Sequence, residues 1–259
     1  MQRQVIIDCF PESVRKYRRG YAIVAVDVIR ATTSAVTVAA RGGRCIPVAS
    51  VDAALRMRQR LRNALLAGEI GGETAPGFEI NNSPAQLDAH DLRDRPVILL
   101  SSSGTRLICE AKGSDIVHLA CFRNYAWVAR YLEGWHSCVA VIGAGSRGEF
   151  REEDQMCCTW IARDLLETGY EPGDLQTIDI IKRWRRTGPE AARNGKSADY
   201  LRRSGQMEDL EFIMSHINDL RSAYVMQGDE VVEWNEAEAA ATFQGNNGTY
   251  RSSGAFPRC

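Results

Sequence analysis

Short apolar runs alternate with stretches of helical periodicity along most of the chain. Residues 5–7, 22–28, 45–48, 97–100, 116–119, 139–142 and 175–181 are rich in aliphatic and β-branched side chains and are predicted strands. Residues 34–41, 51–66, 105–112, 124–133, 152–167 and 207–220 are predicted helices. The run from Ala22 to Val26 has no polar alternation, which marks a strand buried on both faces, as in a parallel sheet. This order of elements predicts an α/β fold, with a mostly parallel sheet and helices on both faces. Residues 225–234, with Gly228-Asp229 between their halves, form a predicted terminal hairpin. From about Asn235 the pattern lapses into an Ala/Glu-rich stretch and then Gly, Asn, Ser and Arg. Residues 1–234 are therefore expected to form the folded domain and 235–259 a flexible C-terminal tail.

Composition narrows the function classes. At 259 residues and 44% hydrophobic, the chain can bury one large core or two modest ones. A formal net charge of −1 gives no reason to expect nucleic acid or an anionic membrane as partner. The basic run Lys182–Arg186 reads as a solvated helix face. No apolar segment approaches the ~20 residues of a membrane span. The first apolar run is broken by Asp8, unlike a signal peptide, so a cytoplasmic protein is expected. The eight cysteines show no C-x-x-C spacing and are expected to be reduced, buried thiols. The four histidines make no H-x-x-x-H pair, so any metal is expected to be a hard ion on carboxylates, such as magnesium. Nothing in the sequence decides whether copies of the chain associate.

Candidate chemistry clusters where strands end, the usual place for a site in a parallel sheet. The strand at 22–28 runs into Asp27, Arg30, Thr32 and Thr33: a hard anionic oxygen, a planar fork for phosphate or carboxylate, and two hydroxyls. Asp27 as a simple helix cap is the competing reading. Residues 67–84 form a glycine-dense loop with Glu69 near its start and Asn82-Ser83-Pro84 at its end. It reads either as a loop covering substrate, to which Glu69 contributes an acid, or as a lead-in whose Asn82 and Ser83 cap the next helix. The strand at 97–100 opens into Ser101, Ser102, Ser103, Gly104, Thr105 and Arg106, a plausible phosphate cradle of helix-end amides, hydroxyls and a guanidinium. The strand at 139–142 leads to Gly143, Gly145 and Gly148 in G-x-G-x-x-G spacing, which invites a dinucleotide-binding reading and an oxidoreductase. Two features oppose it: Glu152, Glu153 and Asp154 open the following helix, and no acid ends a strand ~20 residues later. Asn194-Gly-Lys-Ser197 lacks the first glycine of a P-loop.

Taken in order, these segments resemble the 2-phosphosulfolactate phosphatase family. The resemblance is carried by Asp27-Val-Ile-Arg-Ala-Thr-Thr33, Gly68-Glu69, Gly77-Phe78, Asn82-Ser-Pro84, Gly104-Thr-Arg106, Ala144-Gly145 and Glu153-Asp154, over roughly residues 3 to 233. It implies a three-layer α/β/α phosphate monoester hydrolase that uses Mg2+ and converts 2-phosphosulfolactate to sulfolactate and phosphate, a step toward coenzyme M. With this resemblance, Asp27, Arg30 and Arg106 are the expected catalytic residues and Asp27, Glu69 and Asp154 the expected metal ligands. Thr32, Thr33, Asn82, Ser83, Ser102, Ser103, Gly104 and Thr105 are expected to bind a small phosphorylated acid. A non-catalytic relative that only binds such an acid is the remaining alternative. Two departures stand out: Ser103 where the family carries asparagine, and Asn81 where glycine is usual.

Overall fold

A computed structural model describes residues 3–234; the expected tail at 235–259 lies outside the described residues. The elements run β1 (Arg3–Cys9), α1 (Val14–Tyr17), β2 (Ala22–Val26), α2 (Ala31–Ala40), β3 (Cys45–Val48), α3 (Val51–Arg60), β4 (Leu65–Ile70), β5 (Glu73–Thr74), α4 (Pro84–Ala89), β6 (Val97–Leu100) and α5 (Gly104–Ala111). They continue as β7 (Ile116–Ala120), α6 (Tyr125–Trp135), β8 (Cys138–Gly143), α7 (Glu152–Glu167), β9 (Tyr170–Pro172), α8 (Leu175–Trp184), α9 (Lys196–Arg203), α10 (Met207–Ser215), β10 (Tyr224–Gln227) and β11 (Glu230–Glu233).

The strands join in the order β5-β4-β6-β3-β11-β10-β7-β2-β8-β1-β9, the centre of a three-layer α/β/α fold. Two all-parallel blocks make up most of it: β4-β6-β3, and β7-β2-β8-β1-β9. The predicted hairpin forms, with Gly228 at φ 61° in its turn, and it sits between the two blocks. Its strands pair antiparallel with each other, with β7 and with β3, so the two blocks run in opposite directions. The ends of β2 and β6 nonetheless meet: a Cβ on Gly104, just after β6, would lie 2.1 Å from the Asp27 carboxylate. The intervening sheet must therefore coil strongly.

The unbroken apolar run of β2 is explained by a core on each face. Val24 and Val26 pack with Val128, Trp160 and Ile161 from α6 and α7. Ile23 and Ala25 pack with Val36, Leu107 and Ile108 from α2 and α5. Burying both faces leaves no position for a polar side chain until the strand ends at the site.

Several expectations need correction. Residues 175–181 are not a strand but the start of α8, where the Asp174 side chain accepts from the Thr177 amide at 2.7 Å. Thr177, Ile180 and Ile181 face inward at helical spacing. The helix predicted over 51–66 stops at Arg60, and Leu65-Leu66 begins β4 instead. The helix predicted over 207–220 ends at Ser215. Cys9, Cys45, Cys109, Cys121, Cys157 and Cys158 are free thiols as expected, but Cys138 is disulfide-bonded. A bridge needs closeness in space rather than a sequence spacing, so the missing C-x-x-C motif did not exclude it. Among the described residues, no helix is long and apolar enough to cross a membrane.

Candidate active site

A cavity of about 1220 Å³ opens where β2, β4, β6 and β8 end, lined from all four strand ends and from α9. Asp27 stands at its floor. The backbone after β2 is pinned by Thr32, whose hydroxyl accepts from the Asp27 amide at 2.9 Å and donates to the Ala120 carbonyl at 2.8 Å. Asp27 Oδ1 accepts from the Ala31 amide at 3.3 Å, so the capping role and the site role fall on one carboxylate. Its other oxygen lies against Gly104, where any side chain would displace it. Thr33 donates to the Val28 carbonyl at 2.7 Å and is fully buried. Both threonine hydroxyls serve the backbone and lie outside the cavity lining, so the expected substrate contacts are not made by them.

Asp154, in the first turn of α7, is buried beside Asp27 and accepts from the Val28 amide at 2.8 Å. Burial, then the charges of Asp27 and Glu153, push its carboxyl well above the usual range. Burial first, with the Glu69 charge, raises Asp27 to about 6. Glu153 is raised to about 7, chiefly by burial, with the charges of Glu152 and Asp27 adding to it and Ser197 opposing it. Three buried acids thus stand close together, which costs free energy while all are ionised.

The donor side of the cavity comes from the turn after β6. Ser101 and Thr105 lock each other: the Thr105 amide donates to Ser101 Oγ at 2.9 Å and the Ser101 amide to Thr105 Oγ1 at 2.8 Å. Thr105 is therefore a scaffold for the turn, while Ser101, Ser102 and Ser103 line the cavity. Glu69 is already engaged. Its carboxylate accepts from the Ser102 amide at 2.5 Å, the Ser102 hydroxyl at 3.0 Å and the Gly72 amide at 2.6 Å, stitching two cavity loops together. Asn82 also lines the cavity, with its side-chain oxygen buried and unpartnered. Ser83 is outside the lining; it caps α4, accepting from the Gln86 amide at 3.1 Å, and donates to Asp209.

The two expected arginines differ sharply. Arg30 is buried in the cavity wall, paired with Asp209 at 2.6 Å and donating to Asn81 at 2.9 Å and to Gln206. Asn81, the departure from the family pattern, thus orients Arg30. Arg106 is half exposed at the rim and pairs with Glu12 at 2.6 Å. Sequence reasoning missed Asp209 and three lining groups of α9, Lys196, Tyr200 and Arg203. Asp209 sits in the first turn of α10, where an acid is ordinarily a helix-end charge, so nothing local marked it.

The G-x-G-x-x-G segment does not build a dinucleotide turn. Ser146 and Glu149 exchange backbone hydrogen bonds at 2.8 and 3.0 Å around Arg147 (φ 53°) and Gly148 (φ 75°). Positive φ at both central residues is the pattern of a two-residue type I′ hairpin. It projects Arg147 into the cavity lining, and α7 starts only at Glu152. Gly148 serves the hairpin tip, Gly143 ends β8 and Gly145 takes φ 60° against Phe10, so none stands at a helix end facing a pyrophosphate.

Among the described residues, no three Asp, Glu, His or Cys side chains converge as a metal cage, so the trio Asp27, Glu69 and Asp154 does not meet as one. Magnesium often takes only one or two protein carboxylates and completes its shell with water and phosphate. Asp27 and Asp154 suit that demand: hard oxygens, buried together, with the Asp27 charge raising the cost of ionising Asp154. Glu69, with three of its roughly four acceptor sites already taken, fits least.

A family model described as 2-phosphosulpholactate phosphatase matches residues 9–225. Proteins named probable 2-phosphosulfolactate phosphatase are similar to the chain. That of Deinococcus radiodurans is 30% identical over 230 residues, covering 87% of this chain and 94% of that protein. The one from Nostoc is 34% identical over 62% of this chain and 68% of its own length. For Carboxydothermus hydrogenoformans the identity is 34%, across 61% of this chain and 66% of that protein. With the match running from the end of β1 into β10, the chain belongs to the 2-phosphosulpholactate phosphatase family.

Proposed function

We propose that the protein hydrolyses a small phosphorylated hydroxy-acid, 2-phosphosulfolactate or a close relative, to the hydroxy-acid and phosphate, with magnesium as cofactor. The observation that carries this reading is the buried pair Asp27 and Asp154 facing the Ser101–Ser103 turn across one cavity. Asp27 and Asp154 would hold the cation, which supplies Lewis-acid polarisation of the phosphate oxygens. Hydrolysis breaks the P–O ester bond, adds water oxygen to phosphorus and leaves the alcohol oxygen with a proton. Negative charge is spread over the phosphoryl oxygens during that change. Arg30, fixed by Asp209 and Asn81, places a guanidinium toward that charge without having to reorganise. The Ser102 and Ser103 hydroxyls line the cavity opposite, in a turn locked by Ser101, Thr105 and Glu69. Arg106 at the rim exchanges its pairing with Glu12 for the incoming anion.

Phosphate release from a panel of phosphomonoesters, with and without magnesium, tests the reading. Turnover that requires magnesium and favours phosphorylated hydroxy-acids supports it. No release from any ester, together with tight binding of one, would identify a non-catalytic relative. In Asp27→Asn, loss of the magnesium-dependent rise in melting temperature would support the ligand role. An aspartyl-phosphate trapped at Asp27 in the wild type would instead make it a nucleophile.

A further inference from the structure

The α9 wall and the Arg147 hairpin face the cavity without a part in the phosphate chemistry. α9 turns one face to it, with Lys196, Ser197, Tyr200 and Arg203 at positions i, i+1, i+4 and i+7, while Ala198 packs into the core. Lys196 is neutralised by Glu149 at 2.7 Å. Arg203 and Arg147 are different: among the described residues neither meets an acid within ion-pair distance, and both line the cavity. Among the described residues, Arg203 donates only to the Asp199 carbonyl of its own helix, and Arg147 only to the Gly71 carbonyl at 3.4 Å.

Tyr200 links them, one helical turn before Arg203 on α9 and against the 71–72 turn whose Gly71 carbonyl Arg147 reaches. Its hydroxyl is buried and has no hydrogen-bond partner. It rests on Gly72, where a Cβ would come within 2.1 Å of it. A dry, unpartnered hydroxyl costs free energy in the free protein, and a ligand that reaches it removes that cost. The glycine turn at 71–72 is in turn anchored to the phosphate side, because the Gly71 amide donates to Ser102 Oγ at 3.0 Å and the Gly72 amide to Glu69. One rigid turn thus separates the serine donors from Tyr200 and the two arginines.

We infer that Arg147, Tyr200 and Arg203 form a second anion subsite that selects the acidic group at the end of the leaving hydroxy-acid remote from its carboxylate. This rests on the phosphatase reading for its substrate, and it names the residues that set specificity. The group bound there is a sulfonate, or a carboxylate or phosphonate in its place, on a molecule short enough to span the turn. The two guanidiniums supply charge and the phenol supplies a directed hydrogen bond, so a substrate lacking the distal anion leaves all three unmatched.

The test compares 2-phosphosulfolactate with 2-phospholactate, which lacks the sulfonate. The subsite predicts a wild-type preference in kcat/KM of about 100-fold or more for the former. Arg147→Ala and Arg203→Ala should each cut that ratio by roughly tenfold, and the double variant should bring it near unity. Tyr200→Phe should lower the ratio several-fold while leaving the melting temperature equal or higher, because it removes an orphaned hydroxyl. A merely structural tyrosine would leave the ratio alone. A parallel arm reads binding without turnover, as the melting-temperature rise from sulfolactate against that from lactate. If wild type releases phosphate from neither ester, the phosphatase reading fails. A sulfolactate preference that disappears in the double variant would still support the subsite. An unchanged preference in the double variant, in either arm, overturns it.

Discussion

The segments after β6 and after β8 share one grammar: an apolar strand, small residues, glycine and an arginine. They fold in different ways. Ser101–Arg106 turns directly into α5 with no residue at positive φ, so its glycine is there for space: Gly104 makes room for Asp27. Ala144–Glu149 carries Gly145, Arg147 and Gly148 at positive φ and folds back as a hairpin before α7 begins. The first arrangement brings hydroxyls and a helix start against a carboxylate. The second aims an arginine tip at the cavity mouth and lets three acids, Glu152, Glu153 and Asp154, open the next helix. A glycine motif therefore reports chemistry only when it is known whether the glycine supplies conformation or clearance.

The sharpest way to break this comparison is Gly104→Ala. A methyl group 2.1 Å from Asp27 Oδ2 cannot be accommodated without moving the carboxylate. Displacement of ~1 Å at a reacting group costs on the order of 100-fold, so phosphate release should fall by about that factor or more. Circular dichroism should still show a folded chain. Unchanged turnover would mean that Asp27 is not where the reaction occurs.

Next come the two arginines. Arg30→Ala strands Asp209 in the interior and should cost roughly 3–5 kcal/mol of stability as well as activity. Arg106→Ala, at a half-exposed pair, should cost at most about 1 kcal/mol, with a loss of activity of about 100-fold. Denaturant melts and phosphate release separate the two. Equal stability losses would show that Arg30 is less tightly held than its contacts indicate.

Gly148→Ala probes the hairpin alone. Nothing lies within 4 Å of the added methyl, so only the φ of 75° resists it. A left-handed L-residue costs roughly 1–2 kcal/mol, and the melting temperature should drop accordingly. No drop would mean that the hairpin tip is not held in that conformation. The smallest effect expected is none: NAD(P) should leave the melting temperature unchanged, whereas magnesium with phosphate should raise it. Protection by NAD(P) would restore the dinucleotide reading of Gly143, Gly145 and Gly148.

Much of the sheet was legible because strands buried on both faces are continuous apolar runs. β3 and β6 are bounded as predicted, and β2 within two residues. The error at α8 has a physical source: its inward residues are few and closely spaced, and the informative signal was the Asp174 cap rather than the isoleucines. The hairpin was legible as a hairpin, since its turn is local. Its place between two opposed parallel blocks depends on pairings with β7 and β3 more than 100 residues earlier in the chain, which no local pattern encodes. The site divides along the same line. Asp27, Asp154 and the Ser101–Ser103 turn follow strand ends and were visible. Tyr200 and Arg203 reach the cavity, and Asp209 reaches Arg30, only because α9 and α10 pack there, and their sequence looks like ordinary amphipathic helix. Thr32, Thr33 and Thr105 show the converse: hydroxyls at a strand end that satisfy backbone groups first.

The central claim is that the buried carboxylates of Asp27 and Asp154 are the reaction centre for phosphate release. The most direct measurement is phosphate release from 2-phosphosulfolactate by wild type, Asp27→Asn and Asp154→Asn, each with magnesium and after chelation. The account predicts rapid release by wild type with magnesium, little after chelation, and a loss of about 100-fold or more in both variants while they remain folded. Wild-type rates in either folded variant, or release indifferent to chelation, would contradict it.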